Sequence, residues 1–79
     1  MNKFMNTHFQ TQKHCFFFNG QKYLYDFSPN LQAILHYFNY KPSLVVVELN
    51  GKVCSKQHWS KILINNNDKI ETVTIVGGG

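Results

Sequence analysis

The sequence of 79 residues contains no arginine. Its eight basic residues are all lysines, scattered along the chain, and they outweigh four acidic residues to give a formal net charge of +4. Sequence-specific reading of DNA leans on bidentate arginine contacts to bases, so the absence of arginine argues against that function. The scattered lysines indicate a solvated surface with a mild attraction for acidic partners.

Cysteine is also scarce, with only Cys15 and Cys54 in the chain. Two cysteines form at most one bridge, and no signal-peptide pattern is present, so we expect free thiols rather than a secreted disulfide scaffold. The four histidines lack metal-ligand spacing, and a zinc site would need a second pair of cysteines. No apolar run is long enough to span a bilayer. We therefore expect no metal site and no membrane partner.

An Asn-Gly pair, Asn19-Gly20, separates two strand-forming runs near the N-terminus. The runs cover 15–18 and 21–27, and both turn residues tolerate positive φ, which favours a tight hairpin. Residues 1–13 are polar and show no periodicity, so we expect a disordered arm there.

A helix is predicted after this hairpin. Ser28 is a good N-cap, and Pro29 suits the first helical position. Asn39 can take the left-handed conformation that ends a helix, and Pro42 prevents continuation. Apolar residues recur on one helix face over about three turns: Leu31, Ile34, Leu35 and Phe38.

The second half of the chain predicts short strands separated by turns. Asn50-Gly51 is a second hairpin signal, and Ser55 can cap a brief helical turn over 56–59 whose Trp59 fills the core. The strand-forming segments are 44–49, 52–53 as a short continuation, 62–64 as an edge strand, and 70–76. The predicted order ββαβββ gives one α+β domain over 14–76, with one main helix on a mixed sheet of four to five strands.

The chain then ends in three glycines, Gly77, Gly78 and Gly79. Glycine has no side chain to bury and loses the most entropy on ordering, so packing does not explain this ending. A strip without Cβ atoms can lie in a narrow channel and present its carboxylate to another protein's active site. The terminal carboxylate is therefore the candidate reactive group, on a flexible tail over 77–79.

Together these features resemble the β-grasp, or ubiquitin-like, fold, and within it the ThiS family of sulfur carriers in thiamine biosynthesis. The resemblance covers about 16–79. It is carried by the hairpin at 18–20, the strand and turn at 45–53, Trp59, the stretch 67–73 and the ending Val-Gly-Gly-Gly.

Three positions depart from the family pattern. Asn67 stands where glycine is usual, and asparagine is the next best residue for positive φ, so we expect the turn to survive. Cys54-Ser55 replaces a frequent Pro-Arg pair, and Thr72 replaces an apolar residue.

The resemblance implies a carrier rather than an enzyme, with no bound cofactor. A ThiF-like partner would use ATP to adenylate the carboxylate of Gly79. Sulfur, ultimately from a cysteine desulfurase, would displace AMP and leave a thiocarboxylate. A ThiG-like thiazole synthase would then accept that sulfur. Gly77 and Gly78 would give the tail access to both active sites.

Strand alternation predicts which residues face the partner. Val45, Val47 and Leu49 are expected to face the helix, and so are Ile70 and Thr72 on the last strand. The outward residues would form an apolar patch for partners on the open sheet face: Val46, Val73 and Ile75, with Phe17.

Several alternatives stay open at this point. Within the fold, the chain could serve another Gly-Gly system, as a molybdopterin synthase small subunit or a protein-conjugating modifier. A small basic nucleic-acid-binding module is a different class, although the lack of a lysine cluster speaks against nucleic acid as a partner. Composition rich in Asn, Lys and Ile suggests an A/T-rich genome, which fits a bacterial cytoplasm or a plastid stroma.

Overall fold

The computed structural model describes residues 14–75. Five strands form one mixed sheet in the spatial order β2-β1-β5-β3-β4. They are β1 (His14–Phe18), β2 (Gln21–Tyr25), β3 (Val45–Leu49), β4 (Lys52–Val53) and β5 (Asp68–Thr74). The helix α1 (Leu31–Tyr37) follows the first hairpin, and two short 3-10 turns cover Pro42–Leu44 and Lys56–Lys61. The element order is the predicted ββαβββ.

The strand β5 is the centre of this sheet. It runs parallel to β1 and antiparallel to β3, so it joins the two hairpins into one surface. Sequence neighbours supply the outer pairs, β1 with β2 and β3 with β4. The last strand of the described chain therefore holds the sheet together.

Asparagine supplies the left-handed backbone at every turn where the sequence analysis expected it. The φ angles of Asn19 and Asn50 are 50° and 53°, and each precedes a glycine with φ of 86° or 85°. Asn39 ends the helix with φ of 64°, and Asn67 has φ of 70° in place of the usual glycine. A short polar side chain makes this conformation tolerable.

The core lies between α1 and one face of the sheet. Alternation along β3 buries Val45 and Val47, and the predicted core position of Trp59 is confirmed by its 3% exposure. The indole Nε1 donates to the carbonyl oxygen of Cys54 at 2.9 Å, so the buried ring keeps its polar atom satisfied. The buried cluster contains Phe16, Phe18, Leu31, Ile34, Leu35, Val45, Val47, Trp59, Ile64 and Ile70.

The helix begins later than predicted, and the prediction for Ser28 and Pro29 was wrong. Asn30 is the N-cap, and its side chain accepts from the amide of Ala33 at 2.7 Å. The helix is also shorter, with seven residues and Phe38 as its C-cap.

One non-local contact explains this difference. Asn30 forms an isolated antiparallel bridge with Leu63, which holds the chain extended before the helix can start. The same bridge corrects the predicted edge strand over 62–64, because the backbone of these residues bonds to the segment that begins α1 and pairs with none of the five described strands. The fourth strand is β4 instead. Ser55 lies at the expected 3-10 turn but makes no side-chain cap hydrogen bond.

Candidate functional site: the outer sheet face and the root of the tail

The face of the sheet turned away from α1 carries a valine pair. Val46 on β3 and Val73 on β5 are direct partners in the antiparallel register. Val46 is half-buried, whereas 59% of Val73 is exposed. Val45 and Val47 point into the core. Because side chains alternate along a strand, Val46 and its partner Val73 lie on the opposite, solvent-facing side of the sheet.

The chain leaves the sheet next to this pair. The amide of Ile75 donates to the carbonyl oxygen of Leu44 at 2.8 Å, which holds the backbone one residue beyond β5. About half of the Ile75 side chain is exposed. Val46, Val73 and Ile75 are called the outer patch below. The predicted tail residues Gly77, Gly78 and Gly79 lie outside the described residues.

The register does not bring Phe17 to the outer patch. Phe17 pairs with Lys69 on β5, four residues before Val73, which is about 13 Å along the strand. Its side chain is half-buried. Phe17 therefore shares the outer face but lies toward the other end of the central strand.

Between these two positions lies an acidic pair that the sequence analysis did not single out. Glu48 and Glu71 are direct partners on β3 and β5, and Glu48 is also paired with Val53 on β4. Val53 is 66% exposed. Alternation along β3 places Glu48 outward, because Val47 and Leu49 on either side of it face inward, but only the register between β3 and β5 shows which residue it faces.

Two asparagines from the hairpin turns hold β5 in place. Asn19 Nδ2 donates to Thr72 Oγ1 at 2.9 Å, and its Oδ1 accepts from the Thr72 amide at 2.8 Å. Asn50, in the turn between β3 and β4, also uses both side-chain atoms. Its Oδ1 accepts from the Lys69 amide and its Nδ2 donates to Asp68 Oδ1, both at 2.9 Å. The strand that leads into the tail is thus fixed from both neighbouring hairpins.

The two cysteines, Cys15 and Cys54, are free thiols, as the sequence analysis expected. Cys15 is buried, and its Sγ donates to Oδ1 of Asn67 at 3.1 Å. Burial raises the pKa of the Cys54 thiol, although a backbone hydrogen bond at Leu49 opposes the shift. A raised pKa keeps the thiol protonated and lowers its nucleophilicity.

Other site types find no support in the described part of the chain. Within residues 14–75, no group of three or more His, Cys, Asp or Glu side chains could hold a metal ion. A search of the same residues for a helix long and apolar enough to cross a membrane finds none. What the described surface offers is a partly exposed apolar patch beside the end of β5.

Comparison with known proteins gives both a family and a fold. The sequence model of the ThiS family matches residues 16–79. The protein ycf40 of Trieres chinensis is 55% identical over 64 residues, which make up 81% of this chain and 88% of that protein. The ycf40 protein of Porphyra purpurea is 31% identical over 61 residues, 77% of this chain and 86% of its own length.

A solved structure and a longer protein complete the comparison. The crystal structure of the thiamine biosynthesis protein ThiS from Geobacter metallireducens superimposes with a TM-score of 0.70 at 26% identity, covering 82% of this chain and 99% of that one. This match confirms the predicted β-grasp fold. The thiazole synthase of Paramagnetospirillum magneticum is 30% identical over 61 residues, 77% of this chain but only 19% of that protein.

Proposed function

Because the chain belongs to the ThiS family, we propose that it carries sulfur for thiamine biosynthesis on its C-terminal glycine, Gly79. The observation that carries the proposal is the extent of the family match, which runs through the final three glycines. In this role the chain is a co-substrate of partner enzymes and not itself an enzyme.

The proposed chemistry takes place on the carboxylate of Gly79. A ThiF-like partner catalyses attack of a carboxylate oxygen on the α-phosphorus of ATP, which releases pyrophosphate and gives an acyl-adenylate. A sulfide-level nucleophile, whose sulfur comes ultimately from a cysteine desulfurase and has been reduced by a thiol, then attacks the carbonyl carbon, displaces AMP and leaves a thiocarboxylate. The carrier holds no cofactor in this scheme. Its task is to present the carbonyl carbon of Gly79 to the partner enzymes and to deliver the sulfur bound to that carbon.

The root of the tail supports this role. The backbone is held as far as Ile75 by the bond to Leu44. Four residues follow Ile75, and four residues can span at most about 13–14 Å. A fixed origin with a short reach requires the partner to bind close to the end of β5, where the outer patch lies.

The outer patch and the acidic pair define the proposed docking face for the ThiF-like and ThiG-like partners. Exposed apolar residues at one place on a small domain mark an interaction site. Glu48 and Glu71 lie beside the patch, so a cationic side chain from a partner would complement both carboxylates. Apolar contact would supply affinity, and the charges would supply orientation.

A thiazole synthase is the proposed acceptor of the sulfur. One protein named thiazole synthase contains a 61-residue segment that is 30% identical to this chain. The presence of such a segment in the same polypeptide supports the pairing of carrier and synthase. We place the carrier in a plastid stroma or a cytoplasm, and the name ycf40, given to plastid-encoded genes, favours the stroma.

Intact-mass spectrometry tests the proposal. The full chain is incubated with ATP, a ThiF-like enzyme and a sulfur source, and the expected product gains one sulfur in place of one oxygen at the C-terminus. The control is a chain that lacks Gly79, which should gain nothing. An unchanged mass for the full chain overturns the proposal, and an isopeptide adduct on another protein would instead identify a conjugating modifier.

A further inference from the structure

A groove on the helix side of the sheet is separate from the docking face described above. It has a volume of about 330 Å³ and lies between β2 and α1. None of the residues that line it carries a charge, so its chemistry suits an apolar occupant. The lining residues are Phe16, Tyr23, Leu24, Pro29, Ala33, Ile34, Tyr37 and Phe38.

Aromatic rings form much of the groove. Phe16 stacks on Tyr23 with ring centroids 5.6 Å apart, and Tyr23 meets Phe38 edge-on at 5.1 Å. At the rim, 63% of Leu24 and 77% of Tyr37 are exposed. These two side chains leave the rim apolar and open to solvent, so a short apolar segment could pack there.

The chain carries a matching segment close to this groove. Residues 1–13 join the sheet at His14, two residues before Phe16, which is about 7 Å along the strand. Thirteen residues can reach about 43 Å when extended, several times that distance. Within a mostly polar stretch they include Phe4, Met5 and Phe9. Phenylalanine rings and a methionine thioether are the side chains that pack best against an aromatic wall.

We propose that the N-terminal segment of this chain binds the groove, with Phe4, Met5 and Phe9 as its anchors. The family match begins at residue 16, so the N-terminal segment lies outside the part of the chain that matches the family. The proposed contact therefore goes beyond the sulfur-carrying role. Attachment to His14 gives the segment an effective concentration on the order of millimolar, so a weak contact is enough.

A second copy of the chain fits the groove less well. A stable protein interface uses about 20–30 residues on each side. The groove offers eight. Its size matches a short segment with a few anchoring side chains.

The first test replaces the anchors in the full chain. Amide ¹H–¹⁵N spectra are compared between the native chain and a Phe4→Ser/Phe9→Ser variant, with Asn6→Ser/Gln10→Ser as the matched control. We expect shifts at Leu24, Ala33 and Tyr37 in the first variant alone, unchanged on dilution. Absence of these shifts, or equal shifts in the control, overturns the proposal. Shifts that vanish on dilution assign the groove to a second copy and overturn it as well.

The second test changes the groove instead of the segment. Ala33 lines the groove but is exposed, so Ala33→Glu places a charge there without disturbing the core. Gln32→Glu makes the same change at an exposed neighbour outside the groove. We expect ¹⁵N relaxation of residues 4–9 to report faster motion in the Ala33 variant only. Identical relaxation in both variants would show that the segment does not bind the groove.

Discussion

Glu48 and Glu71 lie directly opposite each other on the antiparallel strands β3 and β5. They are two of only four acidic residues in a chain whose formal net charge is +4. Like charges placed across a strand pair destabilise a sheet, by roughly 0.2–1 kcal/mol. On the proposed docking face, a cationic group from a partner would turn this cost into an attraction.

The first prediction follows from the repulsion between the two glutamates in the free protein and their attraction to a cationic partner. Glu71→Gln should raise the free energy of unfolding by about 0.2–1 kcal/mol because it removes the repulsion. It should also slow association with the ThiF-like partner, and more so at low salt. Urea unfolding and stopped-flow binding measure the two effects.

The Glu48→Gln/Glu71→Gln double variant is the control. Its gain in stability should be no larger than that of the single variant, since one substitution already removes the repulsion. A variant that is both less stable and equally fast in binding contradicts this role.

The outer patch gives the second prediction. Val73→Lys should weaken binding of the ThiF-like partner at least about tenfold, the usual effect of losing an important interface residue. Leu63→Lys is a matched control, because both side chains are 59% exposed and Leu63 lies away from the sheet. Titration calorimetry measures the affinity of each variant for the ThiF-like partner. Equal losses in both variants would mean that the patch is not the docking face.

The tail gives the third prediction. Removal of Gly79, or the substitution Gly78→Val, should abolish loading with sulfur. The melting temperature should stay the same, because glycine has no side chain to bury and the described core lies within residues 16–70. Mass spectrometry and thermal unfolding on the same samples provide the two readings. A variant that melts earlier would show that the glycines are structural.

Two asparagines with similar backbones give the fourth prediction. Asn19 and Asn67 have φ of 50° and 70°, so glycine suits the backbone at either position. Asn19→Gly loses two side-chain bonds to Thr72 and should cost about 1 kcal/mol or more. Asn67→Gly loses the contact with the Cys15 thiol and should change stability by less than about 0.5 kcal/mol. Urea unfolding of both variants tests the difference, and equal costs would contradict it.

The fifth prediction concerns the thiol of Cys54. Burial raises its pKa, so the protonated thiol is favoured in the folded state. This contributes stability at neutral pH, which is lost as pH rises through the raised pKa. In a Cys15→Ala background, the pH midpoint of alkylation should be higher for the folded protein than for the same protein in urea. An equal or lower midpoint in the folded protein would contradict the assignment.

The turns show how much of this fold the sequence could predict. Asn19-Gly20 and Asn50-Gly51 encode their hairpins within two residues, so no distant contact was needed to find them. The apolar face of α1 is equally local. The start of α1 is not, because the bridge from Asn30 to Leu63 overrides the cap signal at Ser28. Propensity at one site cannot reveal a partner 33 residues away.

Some features of the candidate site could likewise be predicted from local sequence, and others could not. Alternation within one strand was enough to place Val46 and Val73 on the outer face. The acidic pair and the separation of Phe17 from the patch depend on the register of β5 with its two neighbours. Strand register is a property of the whole sheet, so these features had no signature in the sequence.

The position of β5 also bears on how the protein is made. Among the five described strands, the one between the two hairpins is synthesised last. Until it emerges, no strand pairing joins the hairpins, and a nascent chain that stops before residue 68 exposes the edges of β1 and β3 that β5 later covers. Premature products would therefore be open to proteolysis, and only chains synthesised through β5 would close into the folded body.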